Sequence, residues 1–553
     1  MNNYSYNSHP QKSKADLVGE FKKIDLPNSI DFGDDGAVKI TVTNRGDDVA
    51  QGPVNIKLYI STDDNLNSND ELLTSVVRNI NLKPGKSRTF NLKYDNLTSA
   101  IAPGSYNLIA QIDADNTIGE SREKNNIISQ AVSAAGTDVV IDWNATALNA
   151  IQAEGEAGRG VPPTQGSRML AMVSAAVYDT VNAFVGTHTP YAIDADAPAG
   201  ASIEAAVAGA AHRMLVTFLP QQTQLFNQQL DRTIQELSSS RSSNIAGLSL
   251  GRSITDQILE LRANDGWDDD SPYSPPEGDY VWYPATEGST AGVVLGPNWG
   301  KVKPFAIESV EDFSPDGIDG LPGTQQYARE IEEVRTLGGK ESTDLTTITR
   351  TADQTEIAHF WAYDRDDTFR PYGQLNQIAQ EVAVREGNSL AENARLFGQL
   401  NIALADAAIV AWDTKYDYVQ PRPDYIIADG FADIDGMDAT TTDPDWDPLL
   451  NPNPPFPDYI SGHSSFAGAF AGVMTNFFGE DYEFTAVSQE LPGVTRHYDS
   501  FYDAAYDDAV SRVYGGIHVR EATVTDALPM GVAVGNYVAE NLLTPLSDSS
   551  QIV

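Results

Sequence analysis

Near Gly136 the spacing of apolar residues changes period, and no single layer of structure accommodates both halves of the chain. Upstream, runs such as Ala37-Val38-Lys39-Ile40-Thr41-Val42 and Val54-Asn55-Ile56-Lys57-Leu58-Tyr59-Ile60 alternate apolar with polar residues. A period of two lines up one face of a strand, and the Gly, Asn, Asp and Pro between runs mark the turns of an antiparallel β-sandwich. Downstream, Ser167 to Val185, Ala205 to Phe218, Thr223 to Leu237, Gln374 to Val384 and Ser389 to Trp412 repeat at the helical period. The small-residue stretches Ser464 to Phe478 and Val524 to Leu542 predict tightly packed helices, and the Pro-, Gly- and Asp-rich segments Asp265 to Lys303 and Gly430 to Asp458 predict long loops that can rim a site. The expected architecture is multidomain: an all-β sandwich over 15–136, then one large all-α helical-bundle domain over 137–545. Residues 1–14 are expected to be disordered and 546–553 to form a tail.

Within the first part, Ser61-Thr62-Asp63-Asp64, Asn69-Asp70-Glu71 and the closing Ile118-Gly119-Glu120-Ser121 with Glu123 and Asn125-Asn126 resemble the immunoglobulin-like, adhesion-related modules appended to prokaryotic secreted proteins. The resemblance implies a domain that presents or tethers its neighbour and carries no chemistry. The oxygen-rich run Asp63 to Glu71 lacks the spacing of an EF-hand loop and reads as a solvated turn. Asp316 to Gly320 and Asp433 to Asp438 have Ca²⁺-like spacing but read as plain acidic loops with no metal claimed there, and calcium stays an open candidate cofactor only for the chain as a whole.

Charge narrows the partners. Lys plus Arg number 36 and Asp plus Glu 78, a formal net charge of −42, and so acidic a surface repels nucleic acid and anionic membrane. Apolar residues at 41% are too abundant for a disordered acidic chain. Cysteine is absent, which removes disulfides, thiolate metal sites and cysteine nucleophiles, and leaves seven His as the only nitrogen ligands. No uncharged apolar window of about 18 residues occurs, so no membrane span is expected. The polar start Met1 to Lys14 shows no basic-then-apolar leader, yet the attached sandwich and missing Cys point to a secreted or cell-surface protein rather than a cytoplasmic one.

Three segments near the C-terminus concentrate cations and imidazoles in this acidic chain: Lys415 to Pro423, Ser461-Gly462-His463, and Ser511-Arg512 through Gly515-Gly516 to His518. A seven-residue separation places Lys415 and Arg422 on one face of a helix that Pro421 and Pro423 then end. Ser461-Gly462 precedes a helical stretch, whose first-turn N–H groups and serine hydroxyl make an anion cradle. Gly515-Gly516 breaks the helix carrying Arg512 and lets His518 turn toward the same point. Two guanidiniums, an ammonium, a hydroxyl, backbone donors and two His suit a tetrahedral or trigonal-bipyramidal oxyanion.

The pattern Lys-x6-Arg-Pro, Ser-Gly-His, Ser-Arg-x5-His resembles that shared by vanadium-dependent haloperoxidases and type 2 acid phosphatases, with Ile460 where the family usually has Pro. Phe360-Trp361-Ala362-Tyr363-Asp364 resembles the fungal-type chloroperoxidase segment whose Asp braces an active-site Arg, and Trp412 and Phe456 match aromatics on the halide side of that site. Arg168 to Asn182 is similar to prokaryotic members. The resemblance implies vanadate as cofactor, with His518 binding vanadium and Lys415, Arg422, Arg512, Ser461 and Gly462 holding its oxygens. It further implies His463 as acid and base, Lys415 as a second catalytic group, and Asp364 orienting a guanidinium from behind. Hydrogen peroxide, a halide (bromide, iodide and chloride as candidates) and a small organic acceptor would be the reactants, and self-association into a homo-oligomer is left open. Two rival readings remain: an acid phosphatase with His518 as nucleophile and His463 protonating the leaving group, and a surface scaffold whose helical domain has lost activity.

Overall fold

The computed structural model describes residues 14–25, 36–61, 66, 70–94, 104–134, 138–237, 239–278, 280–286, 290–428 and 440–546. The expected disordered start thus falls outside the described residues except for Lys14, as does the tail beyond Leu546. Most of Asp63 to Glu71 and all of Asp433 to Asp438 also fall outside them. The chain divides between Thr137 and Asp138 into two compact units.

Among the described residues of the first unit seven strands follow one another: β1 (Leu17–Asp25), β2 (Gly36–Asn44), β3 (Ala50–Ser61), β4 (Glu71–Leu82), β5 (Ser87–Tyr94), β6 (Gly104–Ile112) and β7 (Ile127–Ala134). They form two antiparallel sheets in the orders β1-β2-β5 and β4-β3-β6-β7. The alternation read from the sequence is the burial pattern: Val38, Ile40 and Val42 of β2, and Val54, Ile56, Leu58 and Ile60 of β3, all point into one apolar core. The Ile118-Gly119-Glu120 motif is structural. The Glu120 carboxylate accepts from the Leu17 backbone N–H and from Asn126 Nδ2, tying the start of β1 to the last turn of the module. Burial pushes that carboxyl up to about 7.

Among the described residues the second unit is built of α-helices: α1 (Val139–Glu156), α2 (Pro163–Val185), α3 (Ile203–Phe218), α4 (Thr223–Glu236), α5 (Arg241–Leu261), α6 (Gln325–Gly338), α7 (Ala352–Phe360), α8 (Arg370–Glu386), α9 (Leu390–Tyr418), α10 (Pro423–Ile427), α11 (Gly462–Phe478), α12 (Phe501–Tyr514) and α13 (Ala527–Asn541). The helical bundle expected for this part is present, and beside it β8 (Phe484–Val487) and β9 (Thr495–Tyr498) form a small antiparallel hairpin. It is held by apolar packing as well as backbone pairing, with Phe484 lying 5.6 Å from Tyr498 and 5.1 Å from Phe501.

The small-residue stretches do pack closely. A Cβ on Gly468 of α11 would lie 2.3 Å from the Leu528 carbonyl of α13, and one on Gly531 would lie 2.3 Å from the Ser465 carbonyl. α9 is the bundle's central helix, capped by a reciprocal Ser389–Glu392 box and buried along most of its length. Leu390–Ile427 is long and apolar enough by composition to cross a membrane, but 94% of its apolar window is buried in the unit, as a core helix requires.

Candidate functional site

α9 carries Lys415 in its last turn and stops at Tyr418, where Val419 takes the left-handed conformation at φ +50°. The expectation that Arg422 lies on the same helix face is therefore corrected. Pro421 and Pro423 remove two backbone donors and disfavour helical geometry in the residues before them, so Arg422 is extended (φ −79°, ψ 160°). Convergence is reached by a turn of the chain instead. Ser461 is the N-cap of α11; its hydroxyl accepts from Ser464 N–H and keeps its own hydrogen to donate, beside the open N–H groups of the first turn. Gly462 must be glycine, because a Cβ there would lie 2.9 Å from the Trp412 ring. Arg512 lies in the last turn of α12, and Gly516 at φ +78° redirects the chain so that His518 returns to the site.

Lys415, Arg422, Ser461 and Arg512 are fully buried, His518 nearly so and His463 at 8% exposure. Lys415 Nζ donates to the carbonyls of Pro457 and Asp458 at 2.8 and 2.9 Å, using two of its three hydrogens. Burial, with Arg422 nearby, pulls its ammonium well below the usual lysine range. Arg422 Nε donates to Phe456 O and Nη1 to Ile517 O, both at 2.8 Å, and Nη1 lies 3.5 Å from His518 Nε2. Arg512 Nη1 reaches the Trp361 carbonyl at 3.1 Å and its Nη2 pairs with Asp364 at 2.5 Å, the bracing contact expected for that carboxylate. Burial raises the Asp364 carboxyl, but His463, Arg512 and Arg370 more than offset this and hold it below the usual range. Trp412 and Phe456 face each other at 5.1 Å, and both line one small pocket with His463, Arg512 and His518.

Sequence reading missed Asp458. Its carboxylate is fully buried, hydrogen-bonds His518 Nδ1 and accepts from Val519 N–H at 3.3 Å. Burial pushes this carboxyl up to about 7, while Arg422 and Lys415 pull the other way. A carboxylate on Nδ1 keeps the proton there and leaves Nε2 as the lone-pair atom. Nothing local marks Asp458 among so many Asp; its place three residues before Ser461 is the only available signal. On the other imidazole, His463 Nε2 donates to Ala362 O at 2.9 Å, which leaves Nδ1 as its acceptor. Burial and Arg512 hold His463 down at about 3, so it is neutral at ordinary pH. His359 and His497, for which no catalytic role was read, lie outside this pocket's lining.

Two buried donors, Arg422 Nη2 and Arg512 Nε, have no partner within the protein. Three fixed cations, unmet guanidinium N–H groups, a helix N-terminus and one imidazole lone pair fit a multiply charged oxyanion such as vanadate or phosphate. Among the described residues no group of three or more His, Asp or Glu gathers as a bare cation would need. That includes Asp316 to Gly320, where the backbone N–H groups of Asp319 and Gly320 donate to Glu521.

One turn before Arg512 sits Asp508, 2% exposed, with Oδ1 unpartnered. Burial pushes its carboxyl from 3.8 to about 7 although Arg512 lowers it. Between those values the folded chain holds a proton that the unfolded chain has lost. The contribution is therefore whole below pH 3.8 and is lost as pH rises through about 7. Asp508→Asn is expected to raise the Tm at pH 8 and to flatten the fall in Tm between pH 5 and 8. A Tm series showing the wild-type slope in the variant would contradict the assignment.

Residues 395–547 match the VCPO second helical-bundle domain, and residues 14–130 match CARDB. The vanadium chloroperoxidase of Curvularia inaequalis is 26% identical over 367 residues, which are 53% of this chain and 59% of that protein's own length. Among solved structures, a bacterial vanadium-dependent iodoperoxidase superposes with a TM-score of 0.61 at 24% identity, covering 74% of this chain and 97% of its own. A bacterial vanadium-dependent chloroperoxidase in its holo form gives 0.53 at 16% identity, covering 69% and 92%. At these identities the two structures speak to the fold. The sequence matches make residues 14–130 similar to CARDB modules and residues 395–547 similar to the second helical bundle of vanadium chloroperoxidases, and the chain spans 59% of the length of the curated relative it matches.

Proposed function

We propose that the helical unit is a vanadate-dependent haloperoxidase that oxidises halide with hydrogen peroxide to hypohalous acid, which halogenates small organic acceptors. The observation that carries this reading is the burial of Lys415, Arg422 and Arg512 around the Nε2 of a carboxylate-braced His518 in a chain of net charge −42. His518 Nε2, the three cations, the Ser461 hydroxyl and the Gly462 N–H would hold vanadate, which when bound supplies a Lewis acid that activates peroxide. Asp458 and Asp364 position His518 and Arg512. His463, with its proton fixed on Nε2 by the Ala362 carbonyl, would hold Nδ1 free to accept and return a proton beside the bound oxyanion. Lys415 has one N–H left after its two carbonyl bonds, and that hydrogen can draw charge from the oxygen the halide attacks. Trp412 and Phe456 form an apolar wall that keeps competing water away. Halide, peroxide and one proton then give hypohalous acid and water. The CARDB module and the lack of Cys support export or display at the cell surface, which fractionation of the native host tests.

The same Nε2 lone pair could instead attack phosphorus, as in an acid phosphatase. The Trp412–Phe456 wall and the chloroperoxidase-like Asp364 brace favour halide oxidation. Steady-state rates with iodide, bromide and chloride, alongside hydrolysis of a chromogenic phosphate ester, decide between them. Iodide and bromide turnover without ester hydrolysis is expected. Iodide alone would overturn the chloroperoxidase-like reading of Trp412 and Phe456, and hydrolysis alone would overturn the oxidative one.

A further inference from the structure

Arg370 lines the same pocket as Trp412, Phe456 and His463, yet belongs to none of the three cation-bearing segments. It is the first residue of α8 and is 7% exposed. Its backbone sits at φ +63°, a left-handed conformation that a residue bearing a side chain rarely adopts. Strain of this kind persists where the surroundings demand a particular placement. What the placement achieves is a guanidinium at the wall of the pocket. Nη1 donates to the Asp364 carbonyl at 2.5 Å and to Asp366 Oδ1 at 2.9 Å, while Nε is buried and has no partner.

A buried, unpaired N–H on a cation calls for an acceptor, because native structures leave few such donors unmet. The oxyanion site already has three cations of its own. A second multiply charged anion beside Arg370 would face the Asp364 and Asp366 carboxylates with only one guanidinium to balance them. A single-charged, weakly hydrated, polarisable ion fits better: it needs one N–H and tolerates the aromatic faces of Trp412 and Phe456. We propose that Arg370 is the halide-binding residue, holding the ion through its guanidinium against the Trp412–Phe456 wall. The proposal rests on the haloperoxidase reading of the pocket and adds the subsite from which the halide would attack.

The test reads halide binding apart from turnover. Line broadening of ³⁵Cl in NMR, titrated with the purified full chain and displaced by bromide, is compared between wild type and Arg370→Gln, together with bromide KM, kcat and orthovanadate Kd. The expected result is loss of most of the bromide-displaceable broadening and at least a tenfold rise in bromide KM, with kcat and vanadate Kd each within about threefold. Broadening and KM unchanged in Arg370→Gln would overturn the proposal. Broadening lost in the variant without halide turnover by either protein would sustain the anion site and overturn the haloperoxidase reading instead. Should Arg370→Gln fail to fold, Asp366→Asn decides, since that carboxylate is 61% exposed and competes for the same guanidinium. Its removal is expected to tighten halide binding two- to fivefold, and unchanged binding would count against the proposal.

Discussion

Asp458→Asn is expected to weaken orthovanadate binding about 10- to 100-fold, the usual cost of losing the group behind a metal-ligating histidine. The carboxylate holds the His518 proton on Nδ1 and so keeps Nε2 free. An amide can turn its NH₂ to Nδ1, which moves the proton to Nε2 and removes the lone pair the oxyanion site needs. It also removes a negative charge beside Lys415 and Arg422, so the loss should appear in the Kd and not only in kcat. Binding measured by ⁵¹V NMR or calorimetry on the full chain checks this without turnover. An affinity equal to wild type would show that His518 is oriented by packing alone. His518→Ala should abolish the same signal.

The second large effect concerns stability. Asp406 is fully buried in α9, and its carboxylate accepts the backbone N–H groups of Phe305, Ala306 and Ile307 at 2.6, 2.8 and 3.0 Å. Asp406→Ala strands all three donors, at roughly 1–3 kcal/mol each, so a loss of roughly 3–9 kcal/mol is expected in chemical denaturation. Asp406→Asn keeps one acceptor oxygen and should lose clearly less. Equal stability of Ala variant and wild type would contradict the role. The anchored segment follows the long loop beginning at Asp265, and within that loop the Leu295 carbonyl accepts from Trp412 Nε1 and from the Tyr416 hydroxyl. Asp406 therefore helps seat the wall of the pocket as well as the bundle.

These two carboxylates mark the limit of what could be read from the chain alone. Period two in β2 and β3 and helical period in α2, α3, α4 and α9 were legible because one buried face imposes each pattern over many residues. The three cation-bearing segments were legible because fixed spacing and glycine breaks are local properties. Asp458 and Asp406 were not, because their partners lie about 60 and 100 positions away and an acidic chain offers many similar Asp. Arg422 was placed on the wrong element for a related reason. A spacing of seven fits one helix face, but the two prolines end the helix before Arg422 rather than after it. Arg370 gave no signal at all, since a left-handed arginine cannot be distinguished in sequence from a helical one.

Every proposed role above depends on a buried cationic pocket around His518 that uses an oxyanion cofactor to oxidise halide. The most direct measurement is bromination of a β-diketone acceptor by the purified apoprotein, with bromide and hydrogen peroxide present, as orthovanadate is titrated in. Activity is expected to rise with vanadate, saturate and fall when phosphate competes. Activity indifferent to vanadate, or a protein for which vanadate does nothing except inhibit phosphate-ester hydrolysis, would contradict it.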